Sequence, residues 1–116
     1  MVYNVLLSQD CIHDLELIFD YLFDGYIGFG DTVEEACQRA EKRIEAIQQE
    51  MEHLSEVPHQ GTLRPELMSG LRNVTKDQAV FYFKVDDERE EIRILAVFFG
   101  GQDHQRHMLV RLLSKH

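Results

Sequence analysis

The stretch from Gln78 to Phe99 constrains this chain more than any other. It holds the apolar run Ala79-Val80-Phe81-Tyr82-Phe83-Lys84-Val85, a charged turn over Asp86-Asp87-Glu88-Arg89-Glu90, and then Glu91-Ile92-Arg93-Ile94-Leu95-Ala96-Val97-Phe98-Phe99. Both arms are rich in β-branched and aromatic residues and are bounded by polar clusters, the signature of a β-hairpin. Strict alternation sets Ile92, Ile94, Ala96 and Phe98 against Arg93, Leu95, Val97 and Phe99, so both faces are apolar beyond Arg93. Such a strand must lie inside its sheet with cover on both sides, and the rest of the chain must supply that cover.

A chain of 116 residues, 44% hydrophobic and 28% charged, can bury a core as one domain, expected over residues 1–116. The opening residues lack a basic region and their apolar run breaks at Ser8, so neither a signal peptide nor a membrane span is expected. A cytoplasmic protein without a membrane partner follows. Cys11 and Cys37 fall on two different helices, too far apart to bridge, and are read as reduced structural thiols. The net charge of −9 argues against general nucleic-acid binding, which needs clustered Lys and Arg. Only the C-terminal segment, with Arg106, Arg111, Lys115 and three histidines, is locally basic.

Val2 to Leu7 reads as a short first strand. Ser8 caps a helix expected to end near Asp24, with Ile12, Leu15, Ile18, Phe19, Leu22 and Phe23 on its apolar face. The glycine-rich connector from Asp24 to Asp31 follows a helix rather than a strand and lacks Gly-Lys-Ser/Thr, so it is not a phosphate loop. Thr32-Val33-Glu34-Glu35 is a capping box opening a second helix that stops before Val57-Pro58. A loop runs over Pro58 to Leu67, a strand begins at Gly70-Leu71-Arg72, and Lys76-Asp77 turns it into the central hairpin. After Phe99, Gly100-Gly101 ends the strand and Asp103 caps a last helix through Leu113. The expected fold is α+β, in the order β-α-α-β-β-β-α: a small antiparallel sheet packed by an N-terminal αα-hairpin.

Several strings occur in an order that resembles the RelE/ParE superfamily of toxins from bacterial type II toxin-antitoxin systems. They are Ser8 opening the first helix, Leu54-Ser55-Glu56-Val57-Pro58 with Gly61, Arg64-Pro65-Glu66-Leu67, Gly70-Leu71-Arg72, Val80-Phe81-Tyr82 followed by Val85-Asp86-Asp87, and Ile92-Arg93-Ile94-Leu95 leading to Gly100 and Asp103. The chain looks most like the ParE branch, the plasmid stabilisation proteins. The resemblance implies a toxin that binds its target, DNA gyrase or another replication or translation component, and a cognate antitoxin that covers its groove. It implies no cofactor and no metal, and an uncovered groove allows a homodimer.

Members of the superfamily that cleave mRNA on the ribosome resemble one another in a basic and aromatic cluster. Cleavage at a ribose 2′-OH needs a base, cations for the phosphorane charge and an acid for the leaving oxygen. Here Arg72 keeps the second-strand position of that cluster, but Ala79, Gln102 and Met108 stand where Arg, Arg and Tyr are expected, and Phe99 replaces a His. A ribosome-dependent endoribonuclease would therefore depend on Arg72, His104 and His107. It is the second reading, and a non-toxic relative is the third. As a target-binding set the sequence offers Arg72, Arg93, His104, Arg106, His107 and Arg111. His104 and His107 lie one turn apart, but two histidines without a third ligand do not define a metal site. Arg93 needs a carboxylate such as Glu91 or Asp86 nearby, and Tyr82 is read as a core aromatic whose hydroxyl reaches a rim.

Overall fold

The computed structural model describes residues 2–100 and 103–114. The substitution at Gln102 and the basic character of Lys115 and His116 lie outside the described residues. In chain order the elements are β1 (Asn4–Leu7), α1 (Gln9–Gly28), α2 (Val33–His53), β2 (Thr62–Leu63), β3 (Arg72–Lys76), β4 (Ala79–Asp86), β5 (Glu91–Phe99) and α3 (His104–Leu113). The strands form one sheet in the order β1-β5-β4-β3-β2. As the composition of its arms requires, the central hairpin lies inside the sheet, β5 between β1 and β4 and β4 between β5 and β3. The α+β class and the expected order hold with two differences. The loop after Pro58 contains the two-residue strand β2, and β1 runs parallel to β5 while the other pairings are antiparallel.

The αα-hairpin covers one face of the sheet. Leu15, Ile18 and Leu22 of α1 and Ala40, Ile47 and Met51 of α2 pack on Ala79, Phe81, Phe83, Ile92, Ile94, Val97 and Phe99. The α3 helix covers the other face, with Met108 on Leu71, Val80, Tyr82, Ala96 and Phe98. The two clusters show that the plain alternation read along the second arm is wrong. A bulge between Tyr82 and Phe83 on the β4 side pairs Tyr82 with Ala96 but Phe83 with Ile94, leaving Leu95 without an opposite number. One extra residue inverts the phase of a strand whose side chains alternate with a period of two. Hence Ile92 and Ile94 point to the αα-hairpin, and beyond the bulge Val97 and Phe99 do. The Leu95 carbonyl accepts from the Ser8 hydroxyl at 3.1 Å, while the Ser8 amide donates to the Ile94 carbonyl at 3.0 Å. The first helix cap is thereby tied to the central strand.

The first helix runs four residues past its expected end. Tyr26 packs against the core, and the Arg39 guanidinium lies over its ring at 4.0 Å. The Phe29 amide donates to the Gly25 carbonyl and the Asp31 amide to the Tyr26 carbonyl, each at 3.1 Å. Glycine costs a helix about 1 kcal/mol per residue, and burial of a tyrosine ring is large enough to outweigh that. The expected caps are present: Ser8 accepts from the Cys11 amide, Thr32 and Glu35 form both bonds of the capping box, and Asp103 accepts from the Arg106 amide. Gly61, at φ +85°, brings its backbone against the Asn73 carbonyl, an approach that a β-carbon would block, and this seats β2 on β3. Among the described residues no helix is long and apolar enough to cross a membrane, and Cys11 and Cys37 are both free thiols.

Candidate functional site

The residues that carry chemistry fall on both faces of the sheet. Arg72 pairs with Phe83 across β3 and β4, so its side chain shares the αα-hairpin face, and its guanidinium donates to the His59 carbonyl at 2.9 Å. There it joins His59, Tyr3 and Asp87. The Tyr3 hydroxyl donates to the Asp87 carboxylate at 2.7 Å, and His59 Nε2 lies 2.9 Å from the same group. These contacts, the tyrosine's first, hold the Asp87 carboxyl below its usual range.

His104 and His107 lie on the opposite face. His104 opens α3, and its Nδ1 is 2.7 Å from the hydroxyl of Tyr82, a fully buried ring on β4. The expected rim contact of that hydroxyl is therefore His104. Burial, reinforced by the Arg64 guanidinium, pushes the His104 pKa below its ordinary value and favours the neutral ring, which can accept the tyrosine proton at Nδ1. Burial likewise pushes the Tyr82 phenol up. His107 stacks on Phe98 with ring centroids 5.9 Å apart and 27° between planes.

Arg72 thus lies across the sheet from both histidines, so Arg72, His104 and His107 do not converge. Arg64, from the loop before β3, is a cation whose charge acts on both Tyr82 and His104. Sequence reading named it only within a family string, because a loop arginine carries no periodicity. Its Nε is buried with no hydrogen-bond partner, and its guanidinium reaches Glu66 only at 3.9 Å.

Arg93 stands opposite Lys84 on β4 and pairs with Glu91 of its own strand at 3.5 Å, one of the two carboxylates expected. Arg106 is exposed on α3. Arg111 is fixed by a buried carboxylate: Asp14 accepts from both of its terminal nitrogens, at 2.7 and 2.8 Å, and from the Val97 amide at 3.1 Å. These hydrogen bonds raise the Arg111 pKa further. A sequence cannot show that a helix aspartate and an arginine 97 positions away are partners. Next to them the thiol of Cys11 is pushed up to about 12, mainly by burial, and stays protonated. A crevice of about 250 Å³ between α1, the end of β5 and α3 is lined by Leu17, Tyr21, Phe98, His107 and Arg111 among others.

No family model matches the sequence, and no curated protein matches it. Solved structures do. The chromosomal ParDE TA system from P. aeruginosa aligns with a TM-score of 0.63 at 23% identity, over 84% of this chain and 96% of that one. The RelBE2 toxin-antitoxin complex from Mycobacterium tuberculosis aligns at 0.60 and 16% identity, over 88% and 95%. A mutant of E. coli toxin RelE in the free state aligns at 0.59 and 11% identity, over 96% and 97%. The chain therefore shares the fold of these three solved structures over 84% to 96% of its length.

Proposed function

We propose that this protein is the toxin of a type II toxin-antitoxin system, of the ParE-like kind, which acts by binding a macromolecular target and is held inactive by a cognate antitoxin. The likeness to the P. aeruginosa ParDE TA system supports the toxin reading. The observation that carries binding over catalysis is the separation of Arg72 from His104 and His107 by the thickness of the sheet. A phosphoryl-transfer site needs its base, its cation and its acid around one reacting atom. DNA gyrase is the target we favour, with Arg93, Arg106, His104 and His107 on the α3 side as contacts; Arg72 would serve from the other face, and Arg111 by holding α3 in place.

The second reading, a ribosome-dependent endoribonuclease, rests on the Tyr82 hydroxyl beside His104 with Arg64 near both. Induced expression in a bacterial host separates the two. Growth arrest with loss of gyrase supercoiling and intact mRNA is the outcome expected. New codon-phased mRNA ends that vanish in His104→Ala would establish cleavage instead, and undisturbed growth would leave a non-toxic relative.

A further inference from the structure

The crevice between α1, the end of β5 and α3 has a floor that is already balanced in charge. Both oxygens of Asp14 accept from Arg111, one of them also from the Val97 amide, and the side chain is 4% exposed, so this carboxylate has nothing left for a further cation. The Arg111 charge is met by Asp14, and the Asp10 carboxylate acts on it as well, so the floor does not call for another anion. A charged molecule entering here would lose its hydration and find no counterion.

The walls are apolar: Leu17 and Ile18 from α1, and Val97, Phe98 and Phe99 from β5. The rim is aromatic and polar. Tyr21 is 68% exposed, and the exposed His107 ring stacks on Phe98. Among the described residues neither the Tyr21 hydroxyl nor a ring nitrogen of His107 has a hydrogen-bond partner. Apolar walls with a few polar groups placed to orient a guest are the anatomy of a small-molecule site. Size narrows the guest further. A cavity of about 150 Å³ takes benzene, and this one, at about 250 Å³, has room for a second fused ring.

We propose that this crevice binds a small, uncharged molecule of two fused aromatic rings that carries one N–H or O–H donor. The rings would lie against Leu17, Phe98 and Phe99, where edge and face contacts between aromatics add to plain burial. The donor would reach His107 or Tyr21, since a neutral imidazole and a phenol oxygen both accept. Such a guest touches α1, β5 and α3 at once, so it would also reinforce the seating of α3. The inference does not rest on the toxin reading.

The test uses the full chain, which contains no tryptophan. Indole and naphthol are titrated while amide chemical shifts are followed, with indole acetate, tryptamine, N-methylindole and the aliphatic bicycle decalol as controls. Indole and naphthol are expected to saturate with a Kd of about 10 μM to 1 mM, a range open to a ligand of roughly ten non-hydrogen atoms. The shifts should centre on Leu17, Tyr21, Phe98 and His107. The anionic and cationic analogues should bind about tenfold more weakly or worse, and N-methylindole and decalol severalfold more weakly. Leu17 is 53% exposed, so Leu17→Trp leaves the fold intact and lays its own indole over the crevice. That variant should emit at shorter wavelength than exposed tryptophan, keep the wild-type denaturation midpoint and lose indole binding. Phe29→Trp, at a position 91% exposed, is the matched control and should emit as exposed tryptophan and bind indole normally. Shifts that do not saturate by several millimolar, equal affinity for charged and uncharged analogues, shifts confined to other elements, or wild-type binding by Leu17→Trp would each overturn the proposal.

Discussion

Asp14 is the residue with the most at stake. Its side chain is 4% exposed and meets β5 through the Val97 amide and α3 through Arg111, so one carboxylate fastens three elements. Removing one partner of a buried pair leaves the other charge uncompensated, which costs about 3–5 kcal/mol. Asp14→Ala is expected to lose that much in urea unfolding. Replacing both partners with apolar residues, Asp14→Leu with Arg111→Met, should recover most of it, because the desolvation cost disappears along with the attraction. His104 gives a pH prediction. Its folded pKa lies below the ordinary 6.5, so the fold favours the neutral ring. That contribution is complete above about 6.5 and is lost as pH falls through the folded value. Stability of the wild type should therefore decline on that acid side, and His104→Gln, which does not titrate, should show a shallower decline when chemical-denaturation midpoints are compared across the range.

Among the elements, the β3–β4 turn is held at some cost. Asp77 and Gln78 both have positive φ, 49° and 72°, the pattern of a two-residue hairpin turn that favours Asn-Gly or Asp-Gly. Arg43 on α2 clamps it, donating to the Asp77 carboxylate at 3.0 Å and to the Asp77 carbonyl at 3.2 Å. Gln78→Gly should therefore stabilise the protein by about 0.5–1 kcal/mol, because the backbone needed is one that glycine adopts without strain. An unchanged or lower denaturation midpoint would count against this account of the turn. The extended end of α1 has a related lesson: local glycine content argued for a stop at Asp24, and the contacts of Tyr26 with the core and Arg39 outweighed it.

For the molecule as a whole, the sheet is a middle layer with unequal covers. The αα-hairpin contributes two long helices, whereas the other face depends on the ten residues of α3 over Tyr82, Phe98 and their neighbours. Truncation before Asp103 should uncover that aromatic surface, with a rise in dye binding by exposed apolar groups and a tendency to associate in light scattering. A truncated chain that stayed monomeric and bound no dye would show that α3 is dispensable as cover. The same arrangement separates the candidate residues, placing Arg72 with His59 and Asp87 on one side and His104 with Tyr82 and Arg64 on the other.

What the sequence determined by itself was everything that depends on neighbours along the chain. The hairpin from Gln78 to Phe99, the amphipathic faces of α1 and α2, the caps at Ser8, Thr32 and Asp103, and hence the α+β order are all written in short-range spacing. The partners of Asp14 and His104, the bulge at Leu95 that inverts the end of β5, the parallel placement of β1 and the seating of β2 were decided only in three dimensions. Each depends on contacts between residues far apart in sequence, and a strand that is apolar on both faces carries no mark of where its phase changes. The candidate site was legible as a set of residue types. Which of them share a face was settled by the register of β3 on β4 and by the packing of α3.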